Sequence, residues 1–211
     1  MTTFLPSAGG YRNLRAYKLS EIIYDLTMIF ADKYVRSGSR TRDQMEQAAR
    51  SGKQNIAEGS EASRTSKETE IKLTNVAKAS LEELLLDYED FLRQHHLHQW
   101  EKDHPRTHSL RGYLMSAQFM SAPTEFAHRL NEEEFCNLCI TLINQATYLL
   151  RKLIDRQQQQ FLEQGGIKEQ MYRARIAYRN NKGQTDQTGQ TRQTRQTSPA
   201  SPTDTKNNRK Q

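Results

Sequence analysis

The chain has 211 residues, enough for one well-packed domain with additional segments, and 27% of them are charged. Its 31 basic residues outnumber its 25 acidic residues, giving a net charge of +6; the mean hydropathy is −0.92, and no apolar run approaches the roughly eighteen residues that span a bilayer. The opening MTTFLPSAGG lacks the features of a signal peptide, and two cysteines without an export signal favour a reducing compartment, so we expect a cytoplasmic protein without membrane contact.

The first predicted element is an amphipathic helix from Asn13 to Val35. Its apolar residues recur at intervals of three and four, which is typical of a helix with one buried face in a bundle. They are Ala16, Leu19, Ile23, Leu26 and Phe30, widened by Ile22 and Ile29. Ser37-Gly38 separates this helix from the next one.

The second predicted helix begins near residues 41–43 and contains SGKQNIAEG at 51–59. Small inward-facing residues allow a neighbouring helix to approach closely, which offsets the propensity cost of Gly52, about 1 kcal/mol. Gly59 is predicted to follow the last turn in a left-handed conformation. Asn55 faces a partner helix or the loop, or else it is simply solvated. The inward set is Met45, Ala48, Ala49, Gly52 and Ile56, and the structural motif is Gly52, Asn55, Glu58 and Gly59.

Capping boxes predict where the third and fourth helices begin. Thr65–Glu68 opens a helix that extends to Leu92, and Asn131–Glu134 opens one that extends to Gln164, before two glycines. Acidic residues at the start of the fourth helix and basic residues toward its end complement its dipole. The inward positions are Leu73, Ala77, Ser80, Leu84, Tyr88 and Phe91, widened by Val76, Leu81 and Leu85, then Phe135, Leu138, Leu142, Ala146, Leu149 and Leu153.

The segment 94–124 between these two helices is longer than most loops. It contains Trp100, Tyr113 and Phe119 and is too apolar for a free linker. We predict a short helix near Leu110–Met120 that lies against the bundle.

The C-terminal part follows a four-helix bundle predicted at 12–164. Residues 165–180 are predicted to form a short amphipathic suffix helix. Residues 181–211 contain one residue of the apolar set, Ala200, and carry six basic and two acidic residues, or +4. Such a segment buries too little apolar surface to offset its ordering entropy, so we predict a disordered basic tail.

Residues 44–92 contain NIAEG followed by A-S-L-x-E-L. With helices 1 to 4, over about 12–93 and 126–154, this region resembles the bacterial four-helix-bundle family named after proteins encoded in ribosomal-RNA intervening sequences. The ending FLEQGGIKEQMYRARIAYR, at 161–179, is similar to the suffix of one branch of that family. The matching positions are Gln44, Ala48, Ala49, Ser51, Asn55, Ile56, Ala57, Glu58, Gly59, Ala79, Ser80, Leu81, Glu83 and Leu84.

The resemblance implies an antiparallel up-down-up-down bundle that assembles into rings, commonly of five subunits, and it implies no enzyme. A better-understood relative of the family is the accessory protein of diversity-generating retroelements, a basic pentamer that partners a reverse transcriptase and binds nucleic acid. The implied partners are therefore further copies of the chain and RNA, DNA or a nucleic-acid-handling protein.

Residues that could carry chemistry have structural interpretations that we favour. Cys136 and Cys139 share a helical face without two further zinc ligands, so we predict buried core residues. The six histidines lie between His95 and His128, where Pro105 interrupts the helical spacing; solvated loop histidines are favoured over metal ligands. We expect no catalytic residue, no metal and no cofactor. The carboxylates Glu82, Glu83, Asp87, Glu89 and Asp90 indicate a solvated face or an acidic patch for a neighbour's basic patch.

Basic residues surround the second helix, and others flank Tyr172 and Tyr178 in the suffix. Basic residues interleaved with aromatic ones suit phosphate contact and base stacking, although charge that serves only solubility is the alternative. The candidate nucleic-acid-binding residues are Arg50, Lys53, Lys168, Arg173, Arg175, Arg179, Arg192 and Arg195.

We predict a non-enzymatic, ring-forming bundle that binds nucleic acid or a nucleic-acid-handling partner. The alternative is a protein-binding scaffold without nucleic-acid contact, whose tail only solubilises it. A metal or redox enzyme ranks third.

Overall fold

The structure is a computed structural model that describes residues 10–193 except 115 and 126, with side chains as far as 180. All regular secondary structure in this part is helical, which confirms the all-α prediction. Within the same ranges, no helix is long and apolar enough to cross a bilayer. The α-helices are α1 (Arg15–Tyr34), α2 (Arg40–Ala62), α3 (Lys67–Gln94), α4 (Pro105–Leu114), α5 (Ala117–Ser121), α6 (Glu132–Gln164) and α7 (Ile167–Gln193).

The long helices α1, α2, α3 and α6 pack around one apolar core. α1 and α3 each contact both α2 and α6. Between α2 and α3, Gly52 faces Leu81 and Gly59 faces Leu73, so residue numbers rise on one helix as they fall on the other. These contacts show that α2 and α3 are antiparallel.

The α3–α6 and α1–α2 pairs follow the same rule. Gln157 Nε2 on α6 donates to Thr74 Oγ1 on α3 at 3.1 Å, while Tyr88, later on α3, lies beside Cys139, earlier on α6. In the contacts between α1 and α2, residue numbers likewise rise on one helix as they fall on the other. Neighbouring long helices therefore run in opposite directions.

Phe30 on α1 lies at the centre of the core. Its ring centroid is 5.0 Å from Tyr88, 4.9 Å from Phe91 and 5.4 Å from Phe135. Such edge-on pairs add about 0.5–1.5 kcal/mol each beyond the area they bury. The predicted inward faces of the four long helices are confirmed as buried, although Leu73, Ile29, Leu149 and Leu153 are only half-buried. The prediction is wrong for Val76, which lies at the edge of the α3 stripe and is 45% exposed.

The predicted helix starts are confirmed at α6 and wrong by one residue at α3. Asn131 and Glu134 form the predicted capping box, with the Glu134 N–H donating to Asn131 Oδ1 at 2.9 Å. At α3 the cap is Ser66, which accepts from the Thr69 N–H at 3.1 Å, while Thr65 donates back to a carbonyl of α2. Thr65 and Ser66 both have a hydroxyl that could cap the start of α3, and Ser66 is the residue that does so.

Gly59 does not have the predicted left-handed conformation. α2 continues past it to Ala62, and the glycines with positive φ among the described residues are Gly38 and Gly165. A Cβ atom at Gly59 would lie 3.3 Å from the Glu70 carbonyl oxygen. A side chain at residue 59 would therefore press on the backbone of α3, which glycine avoids. Gly165, with φ 72°, ends α6 as predicted.

The segment after α3 is held on α6 by four hydrogen bonds. The Trp100 N–H donates to Asn137 Oδ1 at 2.7 Å, and Asn137 Nδ2 donates to the His98 carbonyl at 3.0 Å. The Trp100 indole N–H and the His98 N–H donate to the two carboxylate oxygens of Glu133, at 3.0 and 3.1 Å. These bonds lower the pKa of Glu133, the indole bond most strongly. The predicted docking against the bundle is confirmed.

The single helix predicted near Leu110–Met120 is instead two helices, α4 and α5. Ser116 lies between them and accepts from the Phe119 N–H at 3.2 Å, which caps the start of α5. A serine hydroxyl competes with the helical backbone bonds and so starts a new helix here. Leu114 and Phe119 are both buried.

The chain divides into a unit up to Ile167 and a second unit from Lys168. The described part of the second unit is α7, whose helical backbone continues to Gln193, beyond the suffix predicted at 165–180. The prediction of a disordered basic tail at 181–211 thus includes residues 181–193, where the described backbone is helical. The remainder of the predicted tail, 194–211, lies outside the described residues.

Candidate nucleic-acid interface

The two candidate residues on α2 have partners within the bundle. Arg50 Nε donates to Gln54 Oε1 at 3.3 Å on the exposed side of the helix. The Lys53 ammonium lies 4.1 Å from the centroid of the Tyr24 ring and attracts the carboxylate of Asp25. Lys53 thus stabilises the contact between α1 and α2, and Arg50 remains at the surface.

Other basic residues near α2 also form ion pairs inside the chain. Arg42 bonds Glu46 at 2.9 Å and Asp32 at 3.3 Å, and the Lys67 ammonium lies 2.9 Å from Glu70. Residues that already neutralise carboxylates have less charge to offer a phosphate. This favours a structural role for the cluster around α2.

The motif in SGKQNIAEG lies at the α2–α3 interface. Asn55 Nδ2 donates to the carbonyl of Ser51 at 2.9 Å and to its hydroxyl at 3.0 Å, and that hydroxyl is 2.9 Å from Ser80 on α3. Both bonds of Asn55 therefore stay within α2, and Ser51 connects them to α3, so Asn55 is neither a cap of the loop nor simply solvated. Glu58 is exposed, while Gly52 is buried against α3.

The candidates on α7 whose side chains are described lie at the surface, and all but Arg173 share one face. Lys168, Tyr172, Arg175 and Arg179 recur at intervals of four, three and four, which places them on one face. Both tyrosines of α7 are strongly exposed, Tyr172 by 68% and Tyr178 by 70%. Arg173 is exposed on another side of the helix, the side chain of Arg192 is not among those described, and Arg195 lies outside the described residues.

A groove of about 1110 Å³ on α6 was not predicted. Its floor includes Tyr148, which is 51% exposed, and Arg151, whose guanidinium carbon lies 5.5 Å from the centroid of the tyrosine ring. Further walls come from α1, α3, α4 and residues 99–102. The available sequence signal was a helix face with exposed Asn144, Tyr148 and Arg151 at intervals of four and three.

The cysteines considered for metal or redox chemistry lie in the core, and the histidines lie in or beside loops, except that His108 belongs to α4 and His128 to a 3-10 turn, which corrects the loop prediction for these two. Cys136 and Cys139 are fully buried, which confirms the core prediction; burial raises both thiol pKa values, that of Cys139 to about 12. His104 precedes α4 and stacks on Trp100, with ring centroids 5.7 Å apart. Among the described residues, no group of three or more His, Cys, Asp or Glu side chains could hold a metal ion.

Comparison of the chain with protein-family models, with curated proteins and with solved structures gave no match.

Proposed function

We propose that the chain is a non-enzymatic, cytoplasmic protein that assembles with copies of itself and binds nucleic acid or a nucleic-acid-handling partner. The contacts of α1, α2, α3 and α6 support an antiparallel up-down-up-down four-helix bundle, which the resemblance to the intervening-sequence family also implies. That resemblance adds ring assembly to the proposal.

The basic and aromatic face of α7 is the observation that carries the binding proposal. Between 168 and 180 none of its residues is buried, although Met171 and Ile176 are apolar. A helix with little burial is marginal in water, so α7 gains most from a partner that neutralises its charge and covers its rings. Cations beside exposed tyrosines suit the phosphates and bases of a single strand.

Fluorescence anisotropy with labelled single-stranded RNA and DNA tests this function. Binding should weaken steeply as salt rises, because phosphate counterions are released. Replacing Arg175 and Arg179 by alanine should weaken binding and flatten the salt dependence, whereas replacing the exposed Lys72 and Arg156 of the bundle should change both less. No binding at protein concentrations of roughly 10⁻⁴ M, where non-specific contacts are normally seen, would contradict nucleic-acid binding.

Self-assembly is supported by apolar residues at the surface of the bundle. On α3, Val76 is 45% exposed and Leu86 is 61% exposed, and Leu162 near the end of α6 is 82% exposed. Light scattering should give a mass that is a multiple of 24.5 kDa. A mass of one chain at micromolar concentration would contradict assembly, and Leu86→Glu should shift an assembled chain toward smaller species.

The protein-binding scaffold remains the second candidate. α3 carries Glu83, Asp87 and Asp90 close together, and burial, followed by repulsion from Asp90 and Glu83, raises the pKa of Asp87. Such a surface suits a basic protein partner better than a polyanion. In the anisotropy experiment, absence of nucleic-acid binding by an assembled, folded chain would favour this candidate.

A further inference from the structure

We propose that the groove on α6 is a second binding site, which takes a short single-stranded segment of nucleic acid. The inference rests on the proposed nucleic-acid function, but it concerns side chains of the bundle rather than those of α7. The residues of the groove come from segments that are distant in sequence, and the docking of residues 98–100 on α6 brings these segments together.

The groove is large enough for a short polymer segment. Its volume, about 1110 Å³, lies at the upper end of the range of about 300–1,000 Å³ that is usual for small-molecule pockets. Thr141 and Ile140 form buried parts of its floor, and Asn144 and Gln145 add amide groups. Side-chain amides can donate to and accept from base edges, which a purely cationic surface cannot do.

The charge of the groove favours a polyanion. Five basic residues line it against two carboxylates, Glu82 and Glu101, an excess of three positive charges. The Lys78 ammonium is paired with one of these carboxylates, since it lies 2.6 Å from Glu82. Arg111 donates to the backbone carbonyl of Lys102 at 3.4 Å, which orients its guanidinium without cancelling its charge. The five are Arg15, Lys78, Lys102, Arg111 and Arg151.

Tyr148 distinguishes a nucleic-acid strand from an acidic peptide as the occupant. Its ring is half exposed in the groove, and two cations flank it: Arg151 at 5.5 Å and Lys152 at 5.9 Å from the ring centroid. A base that stacks on the ring places its phosphate within reach of these cations, the arrangement found where proteins bind single strands. An acidic peptide would use the cations alone.

Trp100 supplies a direct measurement, because it is the one tryptophan of the chain and it lines the groove. We would titrate the full-length protein at low salt with a short oligouridylate and follow tryptophan emission together with anisotropy of the labelled strand. Binding in the groove should change the emission of Trp100. Tyr148→Leu should lower the affinity obtained from this titration about tenfold, as expected for the loss of one base–aromatic stack.

Charge variants separate the groove from α7. Replacing Lys102 and Arg151 by glutamine should lower the slope of log affinity against log salt by about 0.7 for each phosphate that the variant no longer neutralises. The matched control replaces Lys72 and Arg156, exposed basic residues of α3 and α6 that do not line the groove, and should leave the tryptophan response unchanged. Replacing Arg175 and Arg179 should leave it unchanged as well.

Several results would overturn the inference. If strands bind without any change in Trp100 emission, and only the α7 variant loses affinity, the groove site is wrong while the proposed function stands. If a duplex or a polyglutamate peptide produces the same emission change, and Tyr148→Leu has no effect, the site does not select single strands. If no nucleic acid binds at all, the inference and the proposed function fail together. Circular dichroism of each variant shows that it has folded.

Discussion

A Cβ atom built at Gly52 on α2 would lie 2.6 Å from Cδ2 of Leu81 on α3, closer than any real Cβ contact. Leu81 is fully buried and belongs to the central core, so its side chain has little space into which it can move. The two helices therefore meet at this level only because residue 52 has no side chain.

Gly52→Leu should destabilise the chain by about 1–3 kcal/mol through overpacking of this contact. Gly112 is the matched control, since it also lies in a helix but has no atom within 4 Å of a built Cβ. Gly112→Ala should be neutral or stabilising by about 0.4–1 kcal/mol. Urea unfolding monitored by circular dichroism measures both, and equal midpoints for Gly52→Leu and the parent would contradict the close-packing argument.

Gly59 allows packing and backbone conformation to be separated by experiment. Its Cβ would lie 3.3 Å from the Cβ of Leu73 and from the Glu70 carbonyl oxygen, and its φ is not positive. Gly59→Val and Gly59→Asn should both destabilise, by about 1 kcal/mol or more, because both add atoms where α3 approaches. Asparagine tolerates a left-handed conformation well. If Gly59→Asn leaves the stability unchanged while Gly59→Val lowers it, Gly59 would instead end the helix in a left-handed conformation, as the sequence predicted.

The two glycines also show what could be predicted from the sequence. The buried faces of the long helices follow from the helical period, which requires no knowledge of the neighbour. The residue that packs against Gly52 cannot be predicted from this period, because it depends on how α2 and α3 align. Likewise, Thr65 and Ser66 are nearly equivalent caps in the sequence, and the turn that ends α2 distinguishes them, since the Thr65 hydroxyl donates to the Ala62 carbonyl.

The groove illustrates a second limit. Its basic residues come from α1, α3, α4, α6 and the loop before α4, so no spacing in the linear sequence relates Arg15 to Arg111 or Arg151. The apolar character of 94–124 correctly predicted docking on the bundle. The bonds of Glu133 and Asn137 that determine where it docks could not be predicted, since both residues appear as ordinary polar positions near the start of α6.

The thiols of Cys136 and Cys139 should be unreactive in the native protein. Both side chains are fully buried, and burial raises their pKa values, so almost no thiolate is present near neutral pH. Ellman's reagent should detect both thiols in denaturant and neither without it. Ser121→Cys, at an exposed position of α5, is the control and should react at once. Rapid reaction of the native parent would show that the core around Tyr88 opens.

Asp87 on α3 should make the stability depend on pH. Burial, with repulsion from Asp90 and Glu83, raises its pKa to about 6, whereas the unfolded value is about 3.9. Between roughly pH 4 and 6 the folded chain therefore holds this proton more tightly than the unfolded chain, so stability falls as pH rises through that window. Solvent screening at this half-buried position reduces the expected loss to the order of 1 kcal/mol.

Asp87→Asn should remove this loss, because the amide cannot ionise. The free energy of unfolding of the variant should equal that of the parent at about pH 4 and exceed it by about 1 kcal/mol at about pH 7. Asp155→Asn, at an exposed position on α6, is the matched control for loss of one negative charge. Urea unfolding of the three proteins across this pH range measures the difference. If the parent and the Asp87→Asn variant are equally stable at both ends of this pH range, the Asp87 carboxylate is as well solvated in the folded chain as in the unfolded one.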